Sequence, residues 1–122
     1  MMQGIIAKQN FLKMKVINLT PHNINILDES GNNVKTFAAS GSVARLPMTT
    51  EPAGQLPDGT PLSRTVMHTD RCEGLPDPQQ GTYFIVSLAV KTAFPQRGDL
   101  LVPAEAVRDD KGRIIGCRSL GV

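Results

Sequence analysis

The chain has 122 residues, 40% of them hydrophobic and 20% charged, which fits one soluble globular domain and excludes both a second independent domain and a disordered tail. Eleven Gly and nine Pro exclude an all-helical bundle, and aromatics at 4% with no Trp leave the core to Val, Ile and Leu. A net charge of +2 is too weak for a protein that binds duplex nucleic acid by neutralising phosphates, and no apolar run approaches the roughly 20 residues of a membrane span.

Residues 1–14 read as a leader or arm and residues 15–122 as a single domain. Met1 to Leu12 carries no period of either kind, and it has neither the long apolar stretch nor the cleavage site of a secretory signal. Met14 offers a downstream start. Lys15-Val16-Ile17-Asn18-Leu19-Thr20 has strand composition, and Thr20-Pro21-His22-Asn23 is a turn. Ile24 to Leu27 and Val34 to Phe37 alternate around the Gly/Asn-rich connection Asp28 to Asn33, the pattern of a β-hairpin. Ser40-Gly41 turns again, and Val43 to Leu46 resumes as a strand. From Pro47 to Pro61, four prolines and two glycines rule out a central strand and predict a long surface excursion. Leu62 to Met67 is a short strand.

The later elements follow the same logic. Gly74 to Pro78 is a rigid turn before Thr82-Tyr83-Phe84-Ile85-Val86, a buried central strand. Ser87 is an N-cap, Leu88 to Phe94 forms about two helical turns, and Pro95 ends them. Leu100 to Pro103 is strand-like, Ala104 to Val107 a further helical turn, Asp109 to Gly112 a hairpin turn, and Arg113 to Cys117 the last strand. The sum is an α+β domain, with an antiparallel β-sheet from the N-terminal half and one or two short helices in the C-terminal half.

The chemistry of the chain points to binding. His22 and His68 are the only imidazoles, both in turn-like contexts, and no nucleophile elbow, Walker loop or Gly-x-Gly-x-x-Gly is present. His68, Asp70 and Cys72 form one loose trio with no second ligand pair, so no metal is expected. Cys72 and Cys117 are too few for a disulfide scaffold and fit a reducing compartment. Seven of the thirteen cations are Arg, and Arg97, Arg108, Arg113 and Arg118 crowd the last quarter. Their forks suit phosphate oxygens. The alternative is a solvated rim paired with Asp99, Asp109 and Asp110.

Six motifs stand in order along the chain: Asn18 to His22, Gly41 to Arg45, Gly74 to Pro78, Gly81 to Ser87, Arg97 to Pro103, and Val107 to Asp109 leading into Gly116 to Leu120. In this order the chain resembles the Thoeris anti-defence protein 1 family of phages and prophages, from Lys15 to Leu120. Val66 to Cys72 departs from the aromatic-Gly-acidic pattern of that family. The resemblance implies a non-enzymatic sponge in the cytoplasm of the infected bacterial host. Such a sponge binds and sequesters a cyclic ADP-ribose isomer uncleaved, and some members also hold cyclic di- or trinucleotides. It further implies a homo-oligomer, a dimer or hexamer. No cofactor is expected.

A ligand of this kind needs cations for its phosphates and a flat apolar group under its base, worth about 1–3 kcal/mol per stack. Arg113 and Arg118, then Arg97 and Arg108, are the expected phosphate contacts. Phe84, Tyr83 and Phe94 are the stacking candidates near the arginines: Phe94, before Pro95-Gln96-Arg97, is the ring expected to be exposed, and Phe84 is the second expected site ring. Gln96 is the neighbouring polar contact. Two other functions remain open: a small phage structural or assembly protein, and an enzyme that hydrolyses the signal.

Overall fold

The computed structural model describes residues 14–122; the leader expected over 1–14 lies, apart from Met14, outside the described residues. The strands are β1 (Lys15–Asn18), β2 (Ile24–Leu27), β3 (Asn33–Phe37), β4 (Met48–Gln55), β5 (Pro61–Met67), β6 (Thr82–Ile85), β7 (Leu100–Arg108) and β8 (Ile114–Gly121). One helix, α1 (Leu88–Ala93), stands between β6 and β7. Six strands form one sheet in the order β1-β6-β7-β8-β2-β3, and β4 and β5 form a separate two-stranded sheet.

The large sheet is mixed. β1, β6 and β7 run parallel to one another, β7 and β8 antiparallel, β8 and β2 parallel, and β2 and β3 antiparallel. Asn18 of β1 forms a parallel bridge to Ala39, two residues past the end of β3, so the sheet curls until its two ends approach. Asn18 is the latch. Its buried side chain donates from Nδ2 to the carbonyls of His22 (2.8 Å) and Phe37 (2.9 Å), and its Oδ1 accepts from the amide and hydroxyl of Thr20. Four bonds satisfy an amide that would otherwise be costly to bury.

Thr82, Phe84 and Ile85 of β6 are buried, while Tyr83 is exposed. Phe84 and Ile85 point to opposite sides of the strand, and both are fully buried. On the Phe84 side a core of Leu19, Ala44, Leu46, Val86, Val90 and Leu100 forms under α1 and the 43–46 segment. A six-residue helix has little stability of its own. Here Ser87 Oγ accepts from the Val90 amide at 3.3 Å, and Lys91 Nζ donates to the Leu100 carbonyl at 2.9 Å. The motif glycine Gly74 has φ +77°, and a Cβ there would collide with the Val43 carbonyl oxygen. Beside it, Arg45 and Glu73 exchange both backbone hydrogen bonds.

These observations correct the expected fold class. The described residues are mostly β, 48% strand against 6% helix. The sheet draws on both halves of the chain, with three of its six strands from the C-terminal half. The helical turn expected at Ala104 to Val107 is the middle of β7, because antiparallel pairing with β8 overrides the local preference of Ala and Glu for helix. The strand expected at Val43 to Leu46 reduces to the single bridge at Arg45. The Pro/Gly-rich excursion contains a strand after all, β4, whose partner β5 is the strand expected over Leu62 to Met67. Pro52 is tolerated because this ribbon has two open edges and its register shifts between Pro52 and Gln55. The β2–β3 hairpin, the turn at Asp109 to Gly112, the strand β6 and its N-capped helix stand where they were expected.

Candidate functional site

Among the described residues a groove of about 580 Å³ lies between the starts of β2 and β8, the middle of β7 and the first residue of α1. Its walls are aliphatic: Leu88, Val102, Ala106, Ile114 and Ile115, with Leu88, Ile114 and Ile115 exposed by 69%, 60% and 44%. The motif glycine Gly116 sets the floor, since a Cβ there would lie 2.7 Å from the Asn25 carbonyl and 2.9 Å from Leu27 Cγ. One rim is polar, formed by His22, Asn23 and Asn25. Asn23 Oδ1 accepts from the Ala39 amide and Asn25 Oδ1 accepts from Thr36 Oγ1, so both amides are held in place. Such a groove takes a flat ring between aliphatic walls and offers amide groups to its edge.

The four expected arginines do not converge on one cleft. Arg97 is locked: Nε and Nη2 form a bidentate pair with Asp99 at 2.8 Å each, and Nη2 also donates to the Pro76 carbonyl at 3.0 Å. This hydrogen-bonded pairing holds the Asp99 carboxyl below its usual range and raises the guanidinium. Arg108 and Arg113 share the β7–β8 turn. Arg113 Nε donates to Asp109 Oδ2 (3.1 Å), and Arg108 Nη1 to the Gly112 carbonyl (2.7 Å). Asp109 also accepts from the Arg113 and Lys111 amides, and the bond to the Arg113 backbone is the main cause of its lowered pKa. Arg118, on β8, donates to the Asp28 carbonyl at 2.7 Å. The rim pairing with Asp99 and Asp109 is therefore what the structure displays for Arg97 and Arg113.

The turn nevertheless borders the groove, for Arg113 directly precedes Ile114, and Arg108 pairs with Ile114 in the β7–β8 register. Both side chains are exposed and each uses one nitrogen in the bonds above. The rings are corrected more sharply. Phe84 is fully buried, and Phe94, expected to be exposed, caps α1 and packs half-buried on the core. Gln96 is exposed in the turn after the helix. None of these three lines the groove. The groove residues themselves escaped the sequence reading, although Ile114-Ile115 beside Gly116, an apolar pair left without a buried role, was a usable signal.

A second, smaller cleft of about 250 Å³ lies where the β4–β5 ribbon leaves the body, lined by Leu19, Pro21, Val43, Leu46, Ala89 and the exposed Met48 and Met67 among others. His68 closes the ribbon base through its amide to the Pro47 carbonyl, with its ring nitrogen 3.2 Å from Thr49 Oγ1. Cys72 is half-buried against the core, and burial pushes its thiol up. Among the described residues no group of three His, Cys, Asp or Glu is placed to hold a metal, and no helix is long and apolar enough to cross a membrane.

No protein-family model, curated protein or solved structure matches the chain.

Proposed function

We propose that the protein is a phage anti-defence sponge that binds a cyclic ADP-ribose isomer in the cytoplasm of the infected bacterium and holds it without cleavage. The groove between β2, β7 and β8 carries this proposal. Its volume lies within the roughly 300–1,000 Å³ of small-molecule sites, its walls suit a purine, and its end abuts the turn that carries Arg108 and Arg113. The base lies against Leu88, Ile114 and Ile115, with its polar edge toward Asn23 and Asn25. The phosphates lie toward Arg108 and Arg113. Arg97 and Arg118 act in the fold, through Asp99 and the Asp28 carbonyl. The resemblance of the ordered motifs to the Thoeris anti-defence protein 1 family supplies the choice of signal, and cyclic di- and trinucleotides form the second ligand class by the same chemistry.

A sponge needs tight ground-state binding, which by itself does not lower the barrier to hydrolysis. Nanomolar affinity, about −12 kcal/mol, is the working demand. His22 on the groove rim is the one imidazole a hydrolase could use there as a base. Mixing protein with the signal and then heating it separates the cases. Intact ligand on release supports the sponge, and a cleaved nucleotide that disappears with His22→Ala identifies an enzyme. No retention of any cyclic nucleotide leaves a structural or assembly protein. In calorimetry Arg113→Ala weakens binding tenfold or more, since a charged hydrogen bond contributes about 1.5–3 kcal/mol, and it leaves the melting temperature of the free protein nearly unchanged. Unaltered affinity returns Arg113 to its pairing with Asp109 alone.

A further inference from the structure

We infer that the two rim amides of the groove, Asn23 and Asn25, read the base of the nucleotide proposed for it, and that they select a 6-oxopurine over adenine because both offer N–H groups alone. This selection rests on the groove being the nucleotide site. Asn23 Oδ1 accepts from the Ala39 amide at 2.9 Å. A backbone N–H can only donate, so the bond fixes which end of the side chain is which. The oxygen is spent inside the fold, and Nδ2 is left for a ligand.

Asn25 is oriented by a longer relay across the β2–β3 hairpin, where it stands opposite Thr36. Lys35 donates its backbone N–H to Asn33 Oδ1 at 3.2 Å, and Asn33 Nδ2 donates to Thr36 Oγ1 at 2.9 Å. The single hydroxyl proton of Thr36 then goes to Asn25 Oδ1 at 2.8 Å, an oxygen that Asn33 Nδ2 also approaches at 3.4 Å. Each step runs one way from a backbone donor, and the relay ends with the Asn25 oxygen spent. Asn25 Nδ2 reaches across from β2 to the Ile115 carbonyl at 3.4 Å. Both residues line the groove, so this nitrogen lies at its wall. The bond is longer than the roughly 2.9–3.0 Å of an ordinary N–H···O contact, and Nδ2 carries a second hydrogen besides.

Two amides with their oxygens spent make a rim of donors. Guanine and hypoxanthine carry two acceptors, O6 and N7, side by side on one edge, whereas adenine puts its N6 amino donor where O6 would stand. Against this rim a 6-oxopurine pairs through both atoms. Adenine pairs through N7 alone and sets N–H against N–H, and a donor desolvated without an acceptor is what makes a hydrogen-bonding site selective. The aliphatic walls of Leu88, Ile114 and Ile115 take either ring, so the choice falls to the rim. The cyclic ADP-ribose isomer is then held by its phosphates and one ring nitrogen, and among the cyclic di- and trinucleotides those bearing guanine bind more tightly.

Calorimetric titration of the full chain with inosine and adenosine 5′-monophosphates, which share ribose and phosphate, tests the inference; the cyclic ADP-ribose isomer is titrated separately. The inosine nucleotide should bind about tenfold or more tightly than the adenosine one. Thr36→Val removes the hydroxyl that orients Asn25 and should bring this ratio toward one. Asn25→Asp replaces the N–H groups by a second acceptor and should turn the preference toward adenosine. The ratio is the readout, so a general loss of affinity from the added charge does not count. Thr36 is exposed, so Thr36→Val keeps the test valid if Asn25→Asp disturbs folding, which far-ultraviolet circular dichroism would reveal. Equal affinities, binding of neither nucleotide, or a preference for adenosine overturn the inference. An inosine preference untouched by both variants also overturns it, since the base is then read elsewhere. If the cyclic signal binds while the base selection fails, the sponge stands alone; if no nucleotide binds, both fall.

Discussion

The six-stranded body and the β4–β5 ribbon use the same kinds of bond in different surroundings. Each has an Arg–carboxylate pair. In the body, Arg97 and Asp99 are 19% and 15% exposed, joined by two parallel bonds, with a third bond from the guanidinium to Pro76. In the ribbon, Arg64 and Glu51 are 64% and 54% exposed and share one contact. The first pair ties the loop before β7 to the 74–78 turn and is shielded from water; the second is a solvated cross-strand pair. Context separates them, because desolvation and supporting bonds raise the worth of a charge pair while water and salt erode it. The body thus packs its own core, whereas nearly every residue of the ribbon is exposed.

Three tests sharpen this contrast, beginning with the largest expected effect. Gly74→Ala should destabilise the body by about 3 kcal/mol or more, since the residue is held at φ +77° and its new Cβ strikes the Val43 backbone; urea denaturation reads this directly. A loss below about 1 kcal/mol would mean that the 43–46 segment is not packed firmly against the turn.

Breaking the body pair comes next. Arg97→Ala should cost about 1–3 kcal/mol, because it strands a half-buried carboxylate and the Pro76 carbonyl. The pair also sets a pH dependence. Hydrogen bonds from Arg97 lower the folded pKa of Asp99 below its unfolded value of about 3.9. Its contribution is therefore fully present above that unfolded value and is lost as pH falls through the folded one. Asp99→Asn should flatten that part of the acid limb in a stability profile. An unchanged limb would shift the acid sensitivity to Asp109 and Asp28, whose carboxyls are lowered chiefly by backbone amides of Arg113 and Asn32.

The smallest effect belongs to the ribbon. A double-mutant cycle on Glu51 and Arg64 should return a coupling of about 0.5 kcal/mol or less, vanishing in high salt. A coupling above about 1 kcal/mol would show that the pair is desolvated in solution.

The motifs that carry the family resemblance explain themselves largely as fold-holding devices. Asn18 latches the ends of the sheet, Gly74 fits under Val43, Arg97 locks to Asp99, and Gly116 lets β8 approach β2. Those roles bear on architecture. The ligand groove draws on motif and other residues alike: His22, Val102, Pro103, Gly116 and Cys117 come from the motifs, and Asn25, Leu88, Ile114 and Ile115 from outside or between them.

Local physics was enough for a good part of this protein. Alternation with Gly/Asn turns marks the β2–β3 hairpin, Ser87 and Pro95 delimit α1, and Asp109 to Gly112 makes the β7–β8 turn, because each depends on neighbours in the chain. The parallel pairings β1–β6 and β2–β8 join segments distant in sequence and leave no local trace, so an antiparallel N-terminal sheet was the natural but mistaken expectation. Ala104 to Val107 became strand only because β8 lay alongside. Likewise, four arginines clustered in sequence were dispersed by the fold to a loop lock, a hairpin turn and a strand face. The groove came from β2, β7 and β8 meeting around Gly116, a meeting that long-range pairing alone decides.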